Sequence, residues 1–399
     1  MHVALAALFF FAILTLWVPA YWPVTVFQIG VFTLAGVALS RFRPSVEHRP
    51  PYPLFPLLAA VVLGLLQWGT GNTVYSFDTQ SAIVRWTTFL AVFLIGLSLF
   101  RDRRMAKWFR AAMLWFAFAV AVLATVQTFT SDKIFWLFST QYIGPMGPFP
   151  NHGHYAMFIE IVLPFALYEA IRRERGGLLY AGIAAVIYAS VIASTSRAGA
   201  VLASAEVVAV PVLMWARRLA SGRAVGVSLL RMAVLFAAFT AVVGWEHVWD
   251  RFLVSDPMAV RREFAISSWR MIEAHPWSGV GMGAWPTAYP GYAIIDTGLW
   301  ANQAHSDWLQ WMAEGGIPFG IVMVTLFGWC FLRGFRSVWG LGVIAVFLHA
   351  AVDYPFARPA EGSWTIVLIA MLAAREAARE RTAEKAGPPP AFDLSSGSG

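Results

Sequence analysis

The chain has 399 residues, of which 59% are hydrophobic and 13% are charged, and its formal net charge is +7. About a quarter of the residues in a soluble domain are charged, so this composition excludes a soluble protein of this length. The one cysteine, Cys330, excludes an intramolecular disulfide bond. The sequence therefore predicts a chain that lies in a membrane along most of its length.

Apolar runs near the length that crosses a bilayer recur along the chain and predict an all-α integral membrane protein with about twelve transmembrane helices. The first run has no basic n-region and no cleavage site, so we expect a retained helix, not a signal peptide. In chain order the predicted helices are 2–20, 23–40, 53–69, 81–100, 111–129, 154–171, 178–195, 200–216, 232–245, 307–332, 340–352 and 363–374.

Lys and Arg residues are concentrated in every second connection and in the C-terminal tail. Short basic loops stay in the cytoplasm, so this alternation predicts a multi-pass protein of the bacterial inner membrane with both termini cytoplasmic. The basic clusters are short and separated by membrane spans, which argues against a nucleic-acid partner. We expect membrane lipids to surround the chain instead.

The longest polar connection, 246–306, falls on the periplasmic side of this topology. Connections between bundled helices are usually short, so a loop of this length is expected to carry a functional site. The predicted organisation is a transmembrane domain over 1–374 that includes this loop, followed by a cytoplasmic tail over 375–399.

Four sequence motifs fall on the same predicted side of the membrane. Two are Gly-x-Phe-x-Asn at 147–151 and Ser-Arg-Ala-Gly at 196–199. The others are His-Pro-x-x-Gly-Val-Gly at 275–281, preceded by Arg261, and Ala-His-Ser-x-x-Leu-Gln-x-x-x-Glu-x-Gly at 304–316. Together they resemble the bacterial O-antigen ligase and O-antigen polymerase superfamily.

The resemblance implies a GT-C-like architecture and a glycosyltransferase that uses an undecaprenyl-diphosphate-linked glycan, with no nucleotide sugar, no metal and no cofactor. It also implies an acceptor hydroxyl on lipid A core, as in a ligase, or on a growing glycan, as in a repeat-unit polymerase of O-antigen or exopolysaccharide. A secondary transporter or flippase is the alternative from another class. Against a transporter, no similarity between two halves is visible in the sequence.

The chemistry of such a transfer fits three residues that the motifs single out. Cleavage of an anomeric bond to a diphosphate leaves negative charge that fixed guanidinium groups stabilise, and Arg197 and Arg261 are the arginines expected to do so. Arg262 could exchange roles with Arg261, because neighbouring helical residues point about 100° apart. His305, whose intrinsic pKa lies near neutrality, is expected to act as the base that accepts the acceptor's proton.

Five further residues are candidates for substrate binding: Asn151, His152, His349, Asp353 and Arg358. His349 and Asp353 are four residues apart and share a helix face, either as a functional pair or as a structural one. Arg358 holds a phosphate or caps a helix. His152 and His154 form a His-x-His pair, which is weak evidence for a metal, so sugar contact is the preferred interpretation.

Two carboxylates, Glu160 and Glu314, are candidates for pairing with an arginine. Glu160 is the best helical candidate for a buried partner of an arginine. Glu314 lies nine residues after His305, about 13 Å along a regular helix, so it is expected to be structural or to pair with an arginine.

Overall fold

In the computed structural model of the protein, residues 1–40, 50–140, 144–243, 258–295, 298 and 301–386 are described. These residues form helices, turns and two isolated bridges, without a strand. The α-helices of this described part are α1 (His2–Leu14), α2 (Trp22–Ser40), α3 (Leu54–Thr70), α4 (Ser76–Leu99), α5 (Arg103–Thr130), α6 (His152–Arg172), α7 (Gly177–Ala193), α8 (Arg197–Ala216), α9 (Gly222–Val243), α10 (Met258–Ala274), α11 (Trp285–Ala288), α12 (Asp307–Arg336), α13 (Leu341–His349) and α14 (Pro359–Ala386). The prediction of an all-helical fold is confirmed.

Six of the described helices are long and apolar enough to cross a membrane: α2, α4, α5, α6, α8 and α12. Shorter apolar helices occupy His2–Leu14, Leu54–Thr70, Gly177–Ala193 and Val338–His349. These helices indicate a multi-pass membrane protein, and the count of twelve spans and the GT-C-like architecture stay predictions. Several helices are longer than their apolar runs, because Arg, Lys and Glu continue a helix as well as most apolar residues do.

The basic ends of the helices lie together at one end of the bundle. Arg333 and Arg336, at the end of α12, form ion pairs with Glu376 of α14 at 3.3 Å and 2.9 Å. The guanidinium of Arg110, near the start of α5, lies over the ring of Trp339, 5.1 Å from its centroid. The end of α12, the C-terminal part of α14 and the start of α5 therefore lie at the same end of the bundle.

Helix α6 lies at the centre of the bundle. Nearly all of its residues are buried, and it packs against α5, α7, α8 and α13. Trp364 of α14 is fully buried beside it, with its ring centroid 4.9 Å from that of Phe158 and 6.0 Å from that of Phe9. In a bilayer, helices associate largely through van der Waals packing, and buried rings of this size supply many such contacts.

Three motif residues are helix N-caps at the end opposite the basic residues. Asn151 Oδ1 accepts a hydrogen bond from Gly153 N at 2.7 Å, and Ser196 Oγ accepts one from Gly199 N at 3.2 Å. Ser306 Oγ accepts one from Leu309 N at 3.4 Å. Each side chain satisfies a backbone donor that has no partner within the helix, so α6, α8 and α12 begin where these residues stand.

A glycine turn at 279–283, within the predicted periplasmic segment 246–306, packs against a break in α12. Gly316 has φ 71° and ψ 178°, which interrupts the helix. Val280 N donates to Ala313 O at 2.9 Å, and Gly281 N donates to Glu314 O at 3.1 Å. A Cβ on Gly279, whose φ is +66°, would collide with the backbone of Glu314, so only glycine fits there.

Gln67 of α3 ties the same turn to the bundle. Its Nε2 donates to Ser278 O at 2.7 Å and to Glu314 O at 2.9 Å, and its Oε1 accepts from Met282 N at 2.9 Å. Gln67 is only 3% exposed, so these three hydrogen bonds are made away from water and fix the turn firmly.

A second, smaller hydrophobic core covers this end of the bundle. It joins α10, α11 and the start of α12 through Phe264, Trp285 and Tyr289, among others. These helices belong to the predicted periplasmic segment 246–306, although residues 246–257, 296, 297, 299 and 300 of that segment lie outside the described residues. The described part of the segment is thus a packed structure and not an extended connection.

Candidate active site

His305 lies at the end of the bundle opposite the basic residues, immediately before the cap of α12. Its backbone has φ 51°, a left-handed conformation that is uncommon for residues other than glycine. Thr195, just before the cap of α8, has φ 59°. Such backbone conformations persist only where the surrounding contacts impose them, and they are found mostly at functional sites.

Asp353 lies between two imidazole rings. Its Oδ1 is 4.0 Å from His305 Nδ1 and 3.5 Å from His154 Nε2. Neither nitrogen has a hydrogen-bond partner within the described part of the chain, although both are buried. A small shift of either ring would bring it into hydrogen-bond contact with the same carboxylate oxygen.

The turn that carries Asp353 is fixed by backbone hydrogen bonds. Asp307 N donates to Ala350 O at 2.9 Å and to Asp353 O at 3.1 Å, and Asp307 Oδ2 accepts from Phe356 N at 2.8 Å. Asp353 Oδ1 accepts from Tyr354 N at 3.0 Å. The start of α12 and the turn between α13 and α14 are therefore held in one arrangement.

Helix α10 covers His305 with an aromatic ring and a cation. The Phe264 ring is stacked on the imidazole with a centroid distance of 5.8 Å, and the Tyr354 ring meets it edge-on at 4.9 Å. Arg261 lies one helical turn before Phe264 and is half-buried, whereas Arg262 is exposed. The arrangement favours Arg261 over Arg262 as the arginine beside His305.

These surroundings keep the His305 ring neutral. Burial lowers the pKa of His305 to about 4, against an opposing effect of the Asp353 carboxylate, and the positive charge of Arg261 lowers it further. Asp353 lies in the turn between α13 and α14, outside the apolar helices. Burial alone would raise the pKa of Asp353, but the positive charge of the neighbouring His154 and His349 imidazoles holds it well below its usual range.

A small, open cleft lies beside His154. It is lined by Phe149, Asn151, His154, Tyr354, Arg358 and Glu361, among others. Glu361, in the first turn of α14, accepts from His154 Nδ1 with its two oxygens at 2.9 Å and 3.1 Å. The guanidinium of Arg358 lies 5.9 Å from the centroid of the Tyr354 ring. The cleft thus combines an amide, a guanidinium and an anchored imidazole, all groups that bind polar ligands.

The structure brings most of the predicted site residues to this end of the bundle. Asp353, Arg261 and Arg358 each act electrostatically on His305. Arg197 is exposed in the first turn of α8, whose Gly199 packs closely on Ala156 of α6.

Two further candidates, Asn151 and His152, lie at the start of α6. Asn151 caps the helix and lines the cleft, and His152 is the first, half-buried residue of α6.

His349 lies near Asp353 but has a different hydrogen-bond partner. Its Nδ1 forms a hydrogen bond with Glu160 Oε1 at 2.8 Å, and both side chains are fully buried. His349 is the last residue of α13 and Asp353 lies in the turn that follows, so the prediction that they share a helix face is wrong. The expected arginine partner of Glu160 is a histidine instead, because α6 faces α13 at this level.

Glu314 has the structural role that its distance from His305 predicts. It accepts hydrogen bonds from Gln310 Nε2 at 2.7 Å and Gly283 N at 2.8 Å. It also interacts electrostatically with Arg85 of α4. Glu314 thus joins α12, the glycine turn and α4.

Sequence reasoning gave too little weight to His154 and did not identify Glu361 or Phe264. His154 and Glu361 form a buried pair between α6 and α14, 207 residues apart in sequence, so local spacing carries no signal for it. Phe264 could have been found, because it follows Arg261 by one helical turn on the same face.

These helices and this site define a multi-pass membrane protein with a polar, partly enclosed site at one end of its bundle. The family model of O-antigen ligase matches residues 181–324, from α7 into α12, a range that contains Arg197, Arg261 and His305. The match confirms the resemblance to the O-antigen ligase superfamily and indicates a glycosyltransferase-like enzyme. No curated protein matches the chain.

The matched range ends before Asp353, Arg358 and Glu361. Within the described residues, no group of three or more His, Cys, Asp or Glu side chains is arranged to hold a metal ion.

Proposed function

We propose that the protein is an O-antigen ligase-type glycosyltransferase that transfers a glycan from undecaprenyl diphosphate to a hydroxyl group of lipid A core. The observation that carries this proposal is a neutral His305 beside Asp353 and Arg261, within the range that the O-antigen ligase family matches. An imidazole that is neutral at pH 7 can accept a proton, and adjacent cations stabilise a departing diphosphate.

In the proposed step, the acceptor oxygen forms a bond to the anomeric carbon of the donor while the bond from that carbon to the diphosphate oxygen breaks. The acceptor's proton passes to His305 Nε2, because Nδ1 faces Asp353. The electron pair of the broken bond stays on the diphosphate, whose charge Arg261, Arg197 and Arg358 stabilise. An in-line displacement would invert the anomeric configuration.

Asp353 acts through His305 as a positioning residue. A carboxylate beside Nδ1 holds the tautomer in which Nε2 is free to accept a proton, and it stabilises the imidazolium that forms. His154 and Glu361 hold the other side of Asp353. In this proposal Asn151, His152 and Arg358 bind the sugar or the phosphate, and His349 supports the site through Glu160.

The donor reaches the site from within the bilayer. A polyprenyl tail is far too apolar to leave it, since each buried CH₂ contributes about 0.8 kcal/mol. We propose that the site faces the periplasm, that the basic end faces the cytoplasm, and that no metal or cofactor takes part. The segregation of the basic helix ends from the site supports this orientation.

The test is transfer by the purified full chain, with an undecaprenyl-diphosphate-linked glycan as donor. Lipid A core and a second lipid-linked repeat unit are offered separately as acceptors. A new glycosidic product with lipid A core supports a ligase, and a product with only the repeat unit supports the polymerase of the same superfamily. Movement of the donor across a vesicle membrane without a new bond would support a flippase instead.

The matched variants are His305→Ala and His275→Ala. His275 is exposed and lies in the same predicted periplasmic segment, and its side chain forms a hydrogen bond with Tyr292 at 3.0 Å. Loss of a general base costs about 100-fold or more in rate, so His305→Ala should lose transfer while His275→Ala keeps it. Normal transfer by His305→Ala would contradict the base assignment.

A further inference from the structure

A second cleft lies at the basic end of the bundle, away from the candidate active site. It is a small, open cleft between α5, α6, α7 and the turn that contains Trp339. Its polar lining residues are Lys107, Arg110, Tyr168, Glu169, Arg173 and Tyr180. The transfer proposed above uses none of them.

The lining of this cleft carries excess positive charge. Three of its residues are cations and one, Glu169, is an anion. Glu169 Oε2 is already engaged by Arg173 Nε at 2.5 Å. Arg172 and Arg375 add further positive charge close to Arg110. This local charge favours a ligand with negative charge.

The guanidinium groups around the cleft are held by aromatic rings. Arg110 lies over Trp339 at 5.1 Å, Arg173 over Tyr180 at 4.7 Å, and Arg172 over Tyr168 at 5.7 Å. A ring contacts the flat face of a guanidinium and restrains it, while the N–H groups at the edge stay available as donors. Arginines restrained in this way are suited to bidentate contacts with a phosphate.

The cleft also lies at the level of the lipid headgroups. Helix α5 has 28 residues and is about 42 Å long, whereas the hydrocarbon core is about 30 Å thick. Its apolar part begins after Arg110, so the excess length lies at the basic end, where Lys107 and Arg110 stand. Basic pockets between helices at this level bind anionic headgroups.

We propose that the cleft lined by Lys107, Arg110 and Arg173 is a binding site for a phosphate-bearing anion at the membrane surface. The phosphate comes from the headgroup of an anionic phospholipid or from a soluble phosphate. In both cases Arg110 and Lys107 bind the phosphate oxygens. Tyr168 and Tyr180 flank the bound lipid headgroup or soluble phosphate.

The test is isothermal titration calorimetry of the purified full chain in detergent with three probes. They are a short-chain phosphatidylglycerol, a phosphatidylcholine with the same tails, and inorganic phosphate. The variants are Arg110→Gln and Lys107→Gln, with Arg104→Gln as the control. Arg104 is exposed on the same helix and its loss removes the same charge outside the cleft.

We expect phosphatidylglycerol to bind more tightly than phosphatidylcholine, and Arg110→Gln to weaken this binding about tenfold while Arg104→Gln leaves it unchanged. If inorganic phosphate alone binds with the same dependence on Arg110, the site stands and its ligand is the soluble anion. The proposal is overturned if no probe binds, if both lipids bind equally, or if all variants bind as the unaltered chain does. If Arg110→Gln fails to fold, Lys107→Gln takes its place, and the same weakening of phosphatidylglycerol binding is expected.

Discussion

The pH dependence of transfer is the most direct test of the arrangement around His305. Lowering the pH from about 7.5 to 5.5 would protonate an ordinary histidine, whose pKa is about 6.5, and stop it from acting as a base. Burial beneath Phe264 and the charge of Arg261 lower the pKa of His305 to about 4 instead. The ring should therefore stay neutral through this interval.

The expected magnitude follows from these two values. With a pKa of about 4, about 97% of the imidazole is neutral at pH 5.5, whereas about 9% would be neutral with a pKa of about 6.5. The value of kcat/KM for transfer should then change little between pH 7.5 and 5.5 and fall only as the pH approaches about 4. This parameter reports the ionisation of the free enzyme, which is the state that the structure describes.

The assay measures initial rates of product formation at constant ionic strength, with unfolding followed separately at each pH. A tenfold loss of kcat/KM by pH 5.5 in folded protein would refute the reasoning, because it would mean that His305 is solvated. Phe264→Ala exposes the ring and should move the acid limb upward, toward pH 6.5. Phe264→Leu keeps the apolar cover and should move it much less.

Two further substitutions test the packing around the site. Gly153→Ala places a Cβ against Asp353 Oδ2, so it should lower the rate of transfer by about tenfold or more. The control is Gly182→Ala on α7, where the added methyl group meets no atom within 4 Å, and it should leave the rate unchanged. Equal rates for the two variants would contradict the placement of Asp353. Gln67→Leu leaves Ser278 O and Met282 N without the partner that Gln67 supplies, whereas Glu314 O keeps Gly281 N, so it should lower the free energy of unfolding by about 2 kcal/mol. The measurement is the melting temperature in detergent, and an unchanged value would show that the glycine turn is not held this way.

The sequence alone was enough to predict an all-helical fold, the segregation of charge and several residues of the candidate site. Apolar runs mark helices because a chain in lipid must satisfy its backbone hydrogen bonds internally. The motif residues Asn151, Ser196 and Ser306 lie at helix starts because their short side chains cap backbone N–H groups. Both signals are local, so they can be read from a single chain.

The tertiary structure decided which polar side chains meet. His152 and His154 differ by two positions, about 200° around a helix, and only the packing of α6 against α14 selects His154 as the partner of Glu361 and Asp353. The same packing pairs His349 with Glu160 and leaves His305 beside Asp353. These pairs join residues that are 48 to 207 positions apart in the chain. Such contacts depend on how the helices pack and rotate against one another. No local sequence pattern encodes that packing.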